Sequence, residues 1–350
     1  MRKAGTDRIN FLNIGLMLVS CVVALYIPFE LFLFAYAVLG PAHYLTEISW
    51  LQKRGFFTRG EYDYWILGGL AGLLFLSAPW STQNYSQQGS FGTATYTLLA
   101  LGSALVLVLT DKIVPRILGL ATVIGLAFLV VNTSAFLMVM LATFVPTLVH
   151  VYLFTGFFIL YGALKERSRS GYLAFCVFLL CPVICWFVDP RRFTPSAYVV
   201  LSYFKNFSPL NMTILGVDMP HTRDEGASAG LAIFSSAKGL IVMRFIAFAY
   251  TYHYLNWFSK TSIIRWHEVG VKRLVAIGAL WLASVGVYIY DYSLGFKVLF
   301  CLSFMHIYLE FPLNHLSIMG TFREVRSRIG RPLEPATAGA ARGMKRSASM

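Results

Sequence analysis

Long runs of apolar residues, each closed by a short polar segment, dominate the pattern of this chain. Ten runs have roughly the ~20-residue length that crosses a bilayer as a helix. They cover about 10–27, 29–51, 64–80, 93–110, 113–132, 135–164, 171–188, 228–258, 272–292 and 295–319. Pro28 separates the first two, and the short polar break Asn132-Thr133-Ser134 separates the fifth from the sixth. The pattern predicts an all-α, polytopic integral membrane protein of about ten transmembrane helices. A single transmembrane helical domain is expected over 1–320. A small, basic tail over 321–350 is expected to be disordered and to hold orientation against anionic lipid.

Composition supports that class. Of the 350 residues, 57% are hydrophobic and 13% charged, against the quarter charged that is usual in soluble domains. The net charge of +13 would point to nucleic acid in a soluble protein. Here the cationic residues set orientation, and no nucleic-acid partner is expected. Alternating the spans places 22 of the 29 Lys and Arg residues on one side and four on the other, with Lys238, Arg244 and Lys297 inside spans. The positive-inside rule then makes both termini cytoplasmic. The longest outer loop, 189–227, carries apolar patches suited to the membrane surface. No cleavable signal is read at the start, and the compact loops suit a bacterial inner membrane. The five cysteines all fall in apolar segments without zinc-type spacing and read as reduced packing residues.

The histidines change the picture. Five of the seven lie within predicted spans: His43, His150, His253, His306 and His315. The spans that carry them are all even-numbered, so they run in one direction and place the imidazoles at overlapping depth, in the cytoplasmic half. His221 and His267 fall in loops and read as surface residues. Acids accompany two of the buried histidines. HYLTE pairs His43 with Glu47, and HIYLE pairs His306 with Glu310. A spacing of four puts both side chains on one helix face. Ionisable groups in hydrocarbon are expensive unless paired, ligated or wetted. A lone intramembrane histidine commonly makes just an interhelical hydrogen bond; four aligned with two glutamates form a heavier load.

The set therefore reads as a metal centre. His43, His150, His253 and His306 are the candidate ligands. Glu47 and Glu310 are the candidate catalytic carboxylates, as further ligands or as orienters of the imidazoles. Imidazoles and carboxylates without thiolate suit non-haem iron, with manganese or zinc as alternatives. Pro41, Pro146 and Pro312 lie close to three of these histidines and would bend the helices there. Asn256, one turn beyond His253, could support a ligand or touch substrate. Arg244 could neutralise a glutamate or hold an anionic substrate group. His315, near the end of its span, reads as an interfacial or supporting residue.

At these segments the chain resembles the Brp/Blh family of integral-membrane oxygenases, which cleave β-carotene to retinal. That family's first signature is a Gly-x-Pro-His-Gly segment followed by an acid. GPAHYLTE offers Gly40, Pro41, His43 and Glu47, with an alanine between proline and histidine and no glycine after it. LVHVYLF around His150, TYHYLNW around His253 and MHIYLEF around His306 and Glu310 are similar to its later segments. The resemblance implies an iron held by histidines from several helices and a lipophilic substrate such as a carotenoid, isoprenoid or lipid chain reached from the bilayer. The dense His-x-x-His-His boxes of membrane desaturases are absent. A proton- or ion-coupled transporter is the alternative reading, because buried His and Glu also serve ion relays. A scaffold whose basic tail recruits a partner explains the tail but not the buried layer.

Overall fold

The computed structural model describes residues 2–78, 87–189, 194–220 and 222–329, and among them every regular element is helical. Helix α1 (Arg2–Tyr26) is followed by α2 (Pro28–Phe34), a π-helical turn (Ala35–Leu39) and α3 (Gly40–Lys53). Next come α4 (Tyr64–Ser77), α5 (Gln87–Leu109), α6 (Ile113–Thr133), the short α7 (Ala135–Val139), a π-helical stretch (Met140–Phe154) and α8 (Thr155–Glu166). The remainder is α9 (Arg169–Phe187), α10 (Ala197–Leu215), α11 (Arg223–Phe234), α12 (Ala237–Ser259), α13 (Thr261–Ile264), α14 (Val271–Tyr290) and α15 (Tyr292–Ile329).

Among the described residues, eight helical segments are long and apolar enough to span a membrane. A ninth is reached if α11 and α12, bent by 66° at their junction, count as one span. The expected count of ten is reduced at two places. The third apolar run forms only the 14-residue α4. The eighth breaks at Ser235-Ser236, where the Ser236 hydroxyl accepts from the Gly239 amide and starts α12 as a new helix.

The predicted outer loop 189–227 is largely helical. Its α10 places Tyr203 fully inside the core, edge-on to Phe29 and Phe32. The expected tail begins later than residue 321. Helix α15 continues to Ile329, with Arg326 and Arg328 in its last turn, where cations favour the helix dipole. Residues 330–350, the rest of that tail, lie outside the described residues, as does His221.

The two ends of the described chain meet the same end of the bundle. The Asn10 amide donates to Ser168 and Ser170 at the α8–α9 turn, at 3.2 and 2.9 Å. Arg328 donates to the Tyr172 hydroxyl at 2.6 Å and to the Leu164 carbonyl.

Exposure is inverted relative to a soluble protein. Helix α6 turns Ile117, Leu118, Ile124 and Phe128 outward, each at least 60% exposed, as a lipid-facing helix does. Helix α12 is the opposite case. From Gly239 to Trp257 it is buried on nearly every face, which makes it the central helix. Helices α1, α2 and α9 and the π-helical stretch pack around it, and α15 joins them through α3 and α8.

The two π-helical stretches coincide with prolines. Pro41 and Pro146 each lack the amide donor, and each ring would collide with the carbonyl four residues earlier. Those carbonyls belong to Ala37 and Ala142, both inside the widened turns. Widening relieves the collision and shifts the face on which later side chains emerge. Pro312, by contrast, sits within uninterrupted α15.

The α11–α12 bend supplies a test. A Cβ at Gly239 would fall 2.2 Å from the Ala232 carbonyl oxygen and 2.5 Å from that of Ile233. Backbone cannot yield as a side chain can, so Gly239→Ala should destabilise the protein by about 2 kcal/mol. Thermal unfolding in detergent, with Gly278→Ala as a control facing open space, checks this.

Candidate metal centre

Four helices converge at the centre of the bundle. Helix α3 contributes His43 and Glu47, and the second π-helical stretch contributes His150. Helix α12 contributes His253, and α15 contributes His306 and Glu310. None of the six is more than 6% exposed. The four imidazoles meet in pairs. His43 Nε2 lies 3.1 Å from His253 Nε2, and His150 Nε2 lies 3.1 Å from His306 Nε2. The rings of His43 and His306, and of His150 and His253, also pack edge-on at 5.4 and 4.9 Å between centroids. His43, His253 and His306 offer ligand atoms within 4.8 Å of one another, as do His150, His306 and Glu310.

The carboxylates attach differently from one another. Glu47 Oε2 lies 3.0 Å from Nε2 of His43, one turn earlier on the same helix. The parallel spacing of His306 and Glu310 predicts the same arrangement. Instead, Glu310 Oε2 approaches Nδ1 of His150 on a different segment, at 3.5 Å. Spacing along a helix fixes a shared face; which neighbour stands there depends on packing.

The residues fit a bound cation. Nitrogens bound ~2.1 Å from one metal ion lie about 3.0 to 3.4 Å apart, depending on whether the bond angle is octahedral or tetrahedral. The two imidazole pairs have that separation without adjustment. His43 Nε2 faces both His253 and Glu47, yet it can carry only one proton; a cation would bond to both imidazoles, with Glu47 beside His43 rather than within the sets close enough to share the ion. Apart from the ring nitrogens of His43 and His150, Glu47 Oε2 and Glu310 Oε2 are buried without a hydrogen-bond partner, which is expensive for a carboxylate. Among the described residues neither glutamate has a lysine or arginine within ion-pair distance. Two ionised carboxylates with neutral imidazoles carry a charge of −2, and one divalent cation brings it to zero.

A second layer of side chains holds this set in place. The Thr155 hydroxyl lies 2.8 Å from His253 Nδ1, leaving Nε2 directed at His43. Tyr44 stacks on His306 at 4.1 Å, and its hydroxyl is 2.8 Å from that of Tyr254. Gly40 permits that contact, since a Cβ there would sit 3.0 Å from the Tyr44 hydroxyl and 3.3 Å from that of Tyr254. Trp257 packs edge-on to His43 and donates its indole N–H to Thr46 at 2.9 Å. Thr155, Tyr44 and Tyr254 are not singled out by the sequence pattern. Thr155 follows His150 by five positions, off its face in an α-helix, and the π-helical turn brings it back. The sequence signal for this is Pro146, inside the widened stretch.

Three other sequence candidates stand apart. Asn256 accepts a hydrogen bond from the Tyr252 hydroxyl at 3.4 Å, within a polar seam that also binds Asn13 of α1. His315 Nε2 meets the Leu101 carbonyl of α5 at 2.9 Å. Arg244 reaches neither glutamate and donates to the Val188 carbonyl at 3.0 Å. His267 is exposed. The five cysteines are all free, and Cys21, Cys181 and Cys185 are buried.

No protein-family model, curated protein or solved structure matches this chain.

Thr155→Val retains shape and removes the hydroxyl that fixes the His253 ring. Divalent-metal affinity should fall ~10–100-fold, the usual cost of losing such support, with the fold intact. Competition against a chromophoric chelator measures the first, and far-ultraviolet circular dichroism the second.

Proposed function

We propose that the protein is a membrane-embedded, non-haem iron-dependent oxygenase acting on a lipophilic substrate such as a carotenoid, isoprenoid or lipid chain. The observation that carries this reading is the buried meeting of four imidazoles and two carboxylates from separate helices. That donor set, free of thiolate, suits iron, while manganese or zinc would use many of the same atoms. His43, His150, His253 and His306 would hold the metal, and Glu47 and Glu310 would balance its charge. When bound, iron would supply the binding and activation of oxygen.

The chain's own residues do the rest. Thr155 sets the orientation of His253, and the Tyr44 ring fixes that of His306. The aromatic shell of Trp257, Tyr254 and Phe154 around the imidazoles keeps bulk water away. Water exclusion matters to an oxidation, because it shields reactive species from side reactions. A hydrocarbon-like substrate would arrive through the lipid-facing surface rather than through an aqueous channel. The resemblance of the four histidine segments to the Brp/Blh oxygenases supports the same class.

Elemental analysis of the purified protein, paired with the His150→Ala variant, tests the reading. A stoichiometric metal, predominantly iron, is expected in the native chain, with most of it lost in the variant. Oxygen consumption should then depend on an added carotenoid or isoprenoid and vanish with the metal. A metal-free native protein that carries pH-dependent ion flux in vesicles would instead establish a transporter.

A further inference from the structure

One indole beside the metal centre belongs to a longer row of rings. Trp257 lies one turn beyond His253 on α12, and its ring packs edge-on to the His43 imidazole at 5.5 Å between centroids. It also packs edge-on to Trp50, again at 5.5 Å between centroids. Trp50 follows His43 by seven positions on α3, roughly 10 Å along the axis at ~1.5 Å per residue. Trp257 is 7% exposed, whereas Trp50 is only half-buried. Gln52, Lys53 and Arg54, just beyond it, are exposed, and the Arg54 guanidinium stands 5.8 Å from the centre of the Trp50 ring. The row therefore leads from a candidate ligand, through a buried indole, to the charged end of α3 that meets water.

The chemistry of these rings suits them to passing electrons. An indole can surrender one electron and keep its N–H, whereas a phenol must shed its proton as well. Both indole protons here rest on neutral acceptors. Trp257 donates to the Thr46 hydroxyl and Trp50 to the Ile264 carbonyl, each at 2.9 Å. Neither acceptor is a base, so an electron can leave without a proton transfer. Edge-to-face contact gives both steps close ring-to-ring approach.

We propose that Trp257 and Trp50 form an electron path between the metal centre and the water-facing end of α3. The path rests on the reading of that centre as a site for a redox-active metal. Trp257 gives one electron to the oxidised centre and becomes a radical cation. Trp50 gives one electron to Trp257. A small one-electron reductant in the water, such as ascorbate, returns an electron to Trp50 and releases its own proton to solvent. Lys53 and Arg54 draw an anionic reductant to that end. An oxidising equivalent that meets no substrate thus leaves the centre before it attacks the histidines.

The test uses the full-length protein loaded with iron, or with zinc as a redox-inert control, with metal content measured in every sample. Each sample receives hydrogen peroxide, which takes up two electrons and two protons to give two waters, with or without ascorbate. A tryptophan left short of an electron is trapped by water or dioxygen as a hydroxylated indole, which peptide mass spectrometry locates. Trp65 and Trp186, each 67% exposed, report attack from solution. Iron-loaded protein should oxidise Trp50 beyond both, zinc-loaded protein should not, and ascorbate should keep Trp50 intact. Trp257→Phe should lose most of the Trp50 oxidation at unchanged iron content. Trp50→Phe, at the surface end, should move oxidation back to Trp257 and lose the protection by ascorbate, and it carries the test where Trp257→Phe fails to hold iron. Oxidation of Trp50 no greater than that of Trp65 and Trp186, or unchanged in Trp257→Phe, overturns the path and leaves the metal centre standing. A protein that takes up no iron overturns the metal reading and the path with it.

Discussion

Two glutamates buried in an apolar bundle, with no lysine or arginine in reach among the described residues, are the constraint around which the centre of this protein is organised. A carboxylate in that setting must be protonated, must share a proton with an imidazole, or must meet a metal ion. Four histidines from four helical segments stand beside them, and within each of two imidazole pairs the nitrogens are 3.1 Å apart, a separation that ligands of one ion adopt. The arrangement also explains why those four segments are packed against one another. A cation shared between them would cross-link α3, α12, α15 and the π-helical stretch. A metal held there would stabilise the fold.

The scaffold gives this centre a rigid, dry frame. Helix α12 is enclosed on nearly every side, so His253 has little freedom to move. The widened turns at Pro41 and Pro146 adjust the rotation of α3 and of the segment carrying His150. Gly40 leaves room for the Tyr44–Tyr254 contact, and the second widened turn brings Thr155 behind His253. Backbone that departs from α-helical geometry inside a membrane is tolerated where a packed polar cluster takes up the freed groups, and here such a cluster follows each widened turn. Arg244, earlier on α12, is turned away from this centre and donates to the Val188 carbonyl.

Much of this was legible in the chain. Length and apolarity gave the helical membrane class, since backbone in hydrocarbon must satisfy itself within helices or closed barrels. The cost of burying ionisable groups singled out His43, His150, His253, His306, Glu47 and Glu310, and the structure brings all six together. The span count was less legible. Hydropathy alone does not show that α4 is short, or that a serine cap breaks α11 from α12. The stretch 189–227 has the composition of a surface loop, yet Tyr203 of α10 inserts into the core.

The sequence by itself determined which residues could not tolerate lipid and would have to find partners, because that cost belongs to each side chain wherever it lands. Only the tertiary structure decided who the partners are. Glu47 stays with its own helix, Glu310 crosses to His150, and Arg244 turns away from both, although all three carry similar signals along the chain. Partner choice depends on how helices rotate and pack against one another, and the widened turns before His43 and around His150 alter that rotation in a way no regular 3.6-residue period encodes.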